Sequence, residues 1–144
     1  MLDETTIHEL EHSCDAIEEC YEFMLAYAAQ GLPSDVGSHS GGQLREFLGR
    51  AVEAISRLAA IYAKAVKEEG LQPAERYQAF LEVLERDAKD SLAAIQLVVA
   101  QPALSSQLID NLNASIHLRA LLTDLFLIDE IVKLHRLATN ATSG

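Results

Sequence analysis

Tryptophan is absent from this chain, proline occurs three times, and two cysteines and two methionines are spread over 144 residues. Scarce proline leaves long stretches without the residue that most reliably breaks a helix. Two cysteines cannot form the disulfide framework on which small secreted domains depend. Cys14 and Cys20 are also six positions apart on one expected helix, about 9 Å along its axis and on different faces, too far to bridge. Cations are scarce as well. Lys and Arg number 11 against 22 Asp and Glu, giving a formal charge of −11 and a pI near 4.7. Phosphate backbones and anionic membrane surfaces repel such a chain, so neither nucleic acid nor membrane is an expected partner, although an acidic surface could mimic nucleic acid.

A charge-free apolar run is missing too. The most apolar stretch, "LRALLTDLFLIDEIVKL", contains Arg119, Asp124, Asp129, Glu130 and Lys133, each costing several kcal/mol near a bilayer centre. The opening "MLDETTIHEL" has neither the basic nor the apolar part of a secretory leader, so the expected location is the cytoplasm. Without secretion, the triplets "NAS" and "NAT" carry no meaning as glycosylation acceptors.

What is present is helix-forming material: 49% of residues are hydrophobic, many of them Ala and Leu. Four helical segments follow from the periodicity. Helix 1 runs from about residue 3 to 29, with Ile7, Leu10, Cys14, Ile17, Tyr21, Met24 and Ala28 in 3-4 spacing. Gly31 and Pro33 end it, and "GLPSDVGSHSGGQ" reads as a long mobile loop. Helix 2, from about 43 to 69, carries Leu44, Phe47, Ala51, Ala54, Leu58, Ile61 and Ala65, widened by Leu48, Ile55 and Tyr62, and stops at Gly70. Pro73 opens helix 3, whose apolar face (Tyr77, Leu81, Leu84, Ala88, Ile95, Val98) extends to about residue 100. Helix 4 is expected from about 104 to 137. The chain is thus expected to be all-α: one four-helix bundle over residues 1–138, up-down-up-down, with a frayed tail at 139–144.

Helix 4 has two apolar faces where a bundle needs one. At about 100° per residue, Ile109, Ile116, Ala120, Leu127, Ile131 and Leu134 form one seam, assigned here to the core. Leu118, Leu121, Leu125, Ile128 and Val132 form a second seam about 120–160° away, with Leu122 and Phe126 near its edge. Left in water, that seam would be a large apolar patch, so it is the expected interface, either with a second copy of the chain or with a helical partner.

Candidate chemistry is sparse. "HELEH" at residues 8–12 matches the zinc-protease pattern His-Glu-x-x-His, but His8 and His12 point about 130° and 170° from the apolar face, toward water. No third ligand accompanies them, so any metal they hold would be adventitious. Glu9-x-x-His12 is half of a di-iron motif whose second half is missing. A polar stripe on helix 4, with Asp110, Asn113, His117, Asp124 and His135, reads as register-fixing hydrogen bonds or as a ligand site built on His117, Asp124 and His135. No cofactor follows from any motif. The Gly/Ser stretch around His39 lacks the Lys-Ser/Thr ending of a phosphate-binding loop. The sequence therefore points to a non-enzymatic, acidic interaction protein (adaptor, regulator or chaperone-like), with a ligand- or metal-binding bundle as the alternative.

Overall fold

Regular helical phasing, interrupted at four points, produces five helices in the structure, a computed structural model that describes the backbone of residues 4–143 and the side chains of residues 4–138. They are α1 (Glu4–Ala29), α2 (His39–Glu69), α3 (Ala74–Val99), α4 (Ser106–Ala114) and α5 (Ile116–Ser143). No strand occurs among the described residues, and no helix is long and apolar enough to cross a membrane.

The ends follow from capping chemistry. Ser38 caps α2 by accepting a hydrogen bond from Gly41 N, and Ser105 caps α4 by accepting one from Leu108 N. Gly70 closes α2 at φ 60°, a left-handed position that glycine adopts without strain, while Leu71 N donates to Val66 O across the turn.

Successive helices run antiparallel. The start of α1 meets the end of α2 where Thr6 donates to Glu68, and the end of α1 meets the start of α2 where Phe23 stacks on Phe47. Arg45, early in α2, reaches the carbonyls of Val99 and Gln101 at the end of α3. Ser91 and Tyr77 of α3 meet His117 and His135 of α5 in reverse order. The four expected helices are thus five, with α4 lying against α1 and α5 against α3. Helix α5 continues through residues 139–143, which the sequence reading gave to a frayed tail.

Helices α2 and α3 bury most of the faces that their periodicity predicts, from Leu44 to Ala65 and from Leu81 to Val98, while Phe47 and Tyr77 are only half-covered. Helix α1 is turned slightly, so Cys20 and Tyr27 are buried while Cys14 and Tyr21 are only half-covered.

One expected helix proves to be two, and the consequence is large. Ser115 has φ −61° and ψ 134°, extended backbone that breaks the rod between α4 and α5. Residues seven apart on an unbroken helix share a face. Yet Ile109 is 0% exposed and Ile116 is 73% exposed. The phase of α4 does not carry into α5. Leu118, Leu121, Leu125, Ile128 and Val132, expected at an interface, are instead buried in the chain's own core together with Leu122. The α5 part of the seam assigned to the core turns toward water instead: Leu127 is 52% and Leu134 56% exposed, with Ala120 and Ile131 half-covered.

The second departure is at the opposite end of the sequence. Residues 39–42 of the expected mobile loop already belong to α2, and what remains is tied to the far side of the chain. Asp35, 7% exposed, accepts from Arg45 Nε at 2.6 Å and from Leu104 N at 2.6 Å. Ser106 Oγ donates to Tyr27 O at 2.7 Å and accepts from Leu32 N at 2.8 Å, while Tyr27 Oη donates to Leu104 O at 2.6 Å. Gly41 fits because a Cβ there would collide with the backbone of Asp35, whose Cα would be 2.7 Å away. Buried polar groups this well paired specify one arrangement of both loops. The Arg45 hydrogen bond, above all, holds the Asp35 carboxyl below its ordinary 3.8. Its contribution is therefore present above that value and lost as pH falls through the lowered one. Replacing Asp35 with Ala strands Arg45 and the Leu104 amide and is expected to cost about 2–4 kcal/mol in urea unfolding at pH 7, a loss that shrinks in strong acid. A loss under about 0.5 kcal/mol would show that the two loops hold without it.

Candidate functional site

His8 and His12 are exposed on α1, their rings stacked 6.4 Å apart at 19°. They line two hollows between α1 and α2, of about 300 and 270 Å3, that share His12 and Arg57. Arg50 and Arg57 share the second hollow with Asp15, Glu19 and Glu53, and Arg57 faces Glu9 across the first. No three His, Cys, Asp or Glu side chains among the described residues are grouped to hold a metal ion.

The polar stripe does not converge. Asp110 is exposed on α4 and His117 is exposed on α5, so the break at Ser115 separates them. His135 is half-buried, with Nε2 3.4 Å from Tyr77 Oη. Asn113 is 5% exposed, and neither its amide nitrogen nor its amide oxygen has a hydrogen-bond partner. The geometry does not gather His117, Asp124 and His135 round one ligand.

The thiols are not poised for nucleophilic chemistry. Desolvation pushes Cys20 up to about 12, and it pushes Cys14 up to about 11 despite the Tyr62 hydroxyl 3.3 Å from its sulfur. Both are protonated thiols at neutral pH, whereas the reactive species is the thiolate.

Two features occupy the outer junction of α3 and α5. The first is an apolar groove of about 290 Å3, walled by Pro73, Tyr77 and Phe80 on one side and by Leu127, Ile128 and Ile131 on the other, with Arg76 as its charged lining residue. Arg76 has no acidic partner among the described residues. Beside the groove stands the ridge of Leu127 and Leu134, exposed because α5 packs its opposite side into the core.

The second is a carboxyl pair. Asp124 Oδ2 is buried without a donor, because the group it faces is another carboxyl, that of Asp87 on α3. Two carboxyls can bond each other only when one of them holds a proton. Burial, and then the bond and charge of Asp87, push Asp124 up from 3.8 to about 7. The sequence reading singled out Asp124 but missed Asp87. The available signal was its place on α3, next to the core positions Leu84 and Ala88, where an acid is half-covered whatever its partner.

No protein-family model, no curated protein and no solved structure matches this chain.

Because Asp124 is raised in the fold, the folded chain binds more protons than the unfolded chain between pH 3.8 and about 7. Stability from this pair is therefore full below about 3.8, falls as pH rises through the window between the two values and is gone above about 7. Thermal melting should be higher at about pH 5 than at about pH 8, and Asp124→Asn should flatten that difference by removing the titrating group. An equal fall in the variant would mean that the proton sits elsewhere.

Proposed function

We propose that this chain is a non-enzymatic interaction protein that pairs with a second copy of itself through the outer face of α5. The single observation carrying the reading is the exposed apolar ridge of Leu127 and Leu134 lying directly beside the α3–α5 groove. A surface that presents a ridge and a groove side by side is self-complementary. A two-fold axis seats the ridge of each copy in the groove of the other.

The spacing on α5 supports a helix as the occupant. Ala120, Asp124, Leu127, Ile131, Leu134 and Ala138 alternate steps of four and three, the repeat that a second helix reads in a coiled coil. From Ile116 to Leu137 this face is about 30 Å long at 1.5 Å per residue. The distribution of charge supports a like partner. Helix α1 carries seven acidic residues and no Lys or Arg, whereas α5 balances Arg119, Lys133 and Arg136 against Asp124, Asp129 and Glu130. Two copies meeting at α5 bring neutral helices together and keep their acidic helices apart, so the net charge opposes pairing less than its size suggests.

A second reading is favoured by Arg76: an apolar molecule ending in a carboxylate would fill the groove and pair with that guanidinium. This replaces the ligand site on His117, Asp124 and His135, whose side chains do not converge.

Aspartate at both Leu127 and Leu134 separates the readings. Sedimentation at micromolar concentration should give a dimer for the wild type and a monomer of unchanged helical content for this variant, since both side chains already meet water in the single chain. Aspartate at Leu121 and Leu125 should instead unfold the chain, because both are core residues. A wild-type monomer at that concentration would refute self-pairing.

A further inference from the structure

The repeat on α5 contains one residue that does not belong in an apolar seam. Asp124 occupies the position between Ala120 and Leu127, on the side of the ridge turned toward α3, where it meets Asp87. A helix laid along the ridge covers this position. Polar residues at such sites in coiled coils cost stability and set register. A carboxyl pair adds something that a neutral polar residue lacks, because its charge depends on whether one proton is shared.

Resting on the self-pairing reading above, we propose that the Asp87–Asp124 carboxyl pair is a proton-operated switch on the α5 face, closing the pair of chains in mild acid and loosening it in mild alkali.

With one proton, the two carboxyls bond each other, carry a single charge and can be covered. Without it, two negative charges face each other with Asp124 Oδ2 already buried and lacking a donor, and covering the half-exposed remainder of the two residues removes the water that still screens them. Covering therefore favours the protonated pair, and by linkage protonation favours covering. The proton comes from solvent, one for each chain that closes with its pair deprotonated beforehand.

Among the described residues, Asp87 is the one charged group that acts on Asp124. Helix α3 presents Asp87, while its neighbours Arg86, Lys89 and Asp90 are exposed. Helices α1 and α2 direct Cys14, Glu18 and Tyr62 toward Asp129, a different position on α5. Asp110, the sole charged residue of α4, is exposed. On α5 itself, Arg119, Glu130 and Lys133 are exposed. His117 and His135 also lie on this helix, but an imidazole gains charge in acid, so covering either would give the opposite pH dependence. The sign of the effect identifies the group.

Sedimentation equilibrium of the full chain at about pH 5.5, 7 and 8.5, at one ionic strength, reads the switch through the dimer dissociation constant. For each proton taken up on pairing, the dimer weakens by up to about tenfold per unit rise in pH on the alkaline side. The expected result is a dissociation constant that rises with pH in the wild type and stays level in both Asp124→Asn and Asp87→Asn. The asparagine variants should still dimerise at pH 8.5. A wild-type dimer with a flat profile would overturn the switch and leave self-pairing intact. So would a rise that persists in Asp124→Asn. A wild-type monomer at every pH would overturn self-pairing and the switch together. A dimer that tightens with rising pH would assign the dependence to a histidine and reject the carboxyl pair.

Discussion

An extended residue at Ser115, between two helices that the apolar pattern reads as one, decides which side of α5 meets water. An unbroken rod would keep Ile109 and Ile116 on one face and bury Leu127 and Leu134 with them. The break lets α4 lay Ile109 and Leu112 toward the core along α1 while α5 packs Leu118, Leu121, Leu125, Ile128 and Val132 along α3. Everything proposed for function depends on that change of phase, because it turns a core seam into a surface ridge and places it beside Tyr77 and Phe80. The side-chain hydroxyl of Ser115 and the amide of Asn113 remain buried without partners at the break.

The bundle end formed by Tyr27, Asp35, Arg45 and Ser106 explains how the last rod can be broken and still be held in place. Backbone groups at the start of α4 are bonded to the end of α1 and to the loop after it, including Ser106 N to Leu32 O at 2.8 Å. One carboxylate joins a guanidinium on α2 to the amide that precedes α4, so three segments distant in sequence are fixed by one side chain. Asp35, buried, and Asp124, half-buried, are two acids with opposite roles. Hydrogen-bond donors surround the first, so it favours the ionised form. A second acid and a lack of donors surround the other, so it favours the protonated form. Acid weakens one end of the molecule over a lower pH range than the one in which alkali weakens the α3–α5 junction.

The all-α class and the buried faces of α2 and α3 are legible in the sequence because their signals are local. Gly70 and Pro73 mark a turn by backbone chemistry, and Leu44, Leu58, Leu84 and Ile95 keep a regular period without interruption. The break at Ser115 is not legible, since neither glycine nor proline marks it, and a periodic pattern carried across it inverts every assignment downstream. The loop before α2 was misjudged for a related reason. Glycine and serine signal mobility, whereas Asp35 is held by Leu104, 69 residues away. The carboxyl pair was half-legible: Asp124 stands out on its own helix, but its partner lies on another, and only packing brings Asp87 to it. The outward direction of His8 and His12 follows from helix geometry alone, as the exposed rings on the structure agree.

The face on which two copies meet is tested most directly by pulsed electron paramagnetic resonance on spin-labelled chains, with Cys14 and Cys20 replaced by Ser and Ala. One label goes on Thr123→Cys, exposed at the edge of the ridge, and in a separate sample one goes on Glu11→Cys, exposed on α1. The account predicts a defined distance between copies from the Thr123 position and a longer or unresolved one from the Glu11 position. Coupling that is absent at Thr123, or shorter at Glu11, would contradict it.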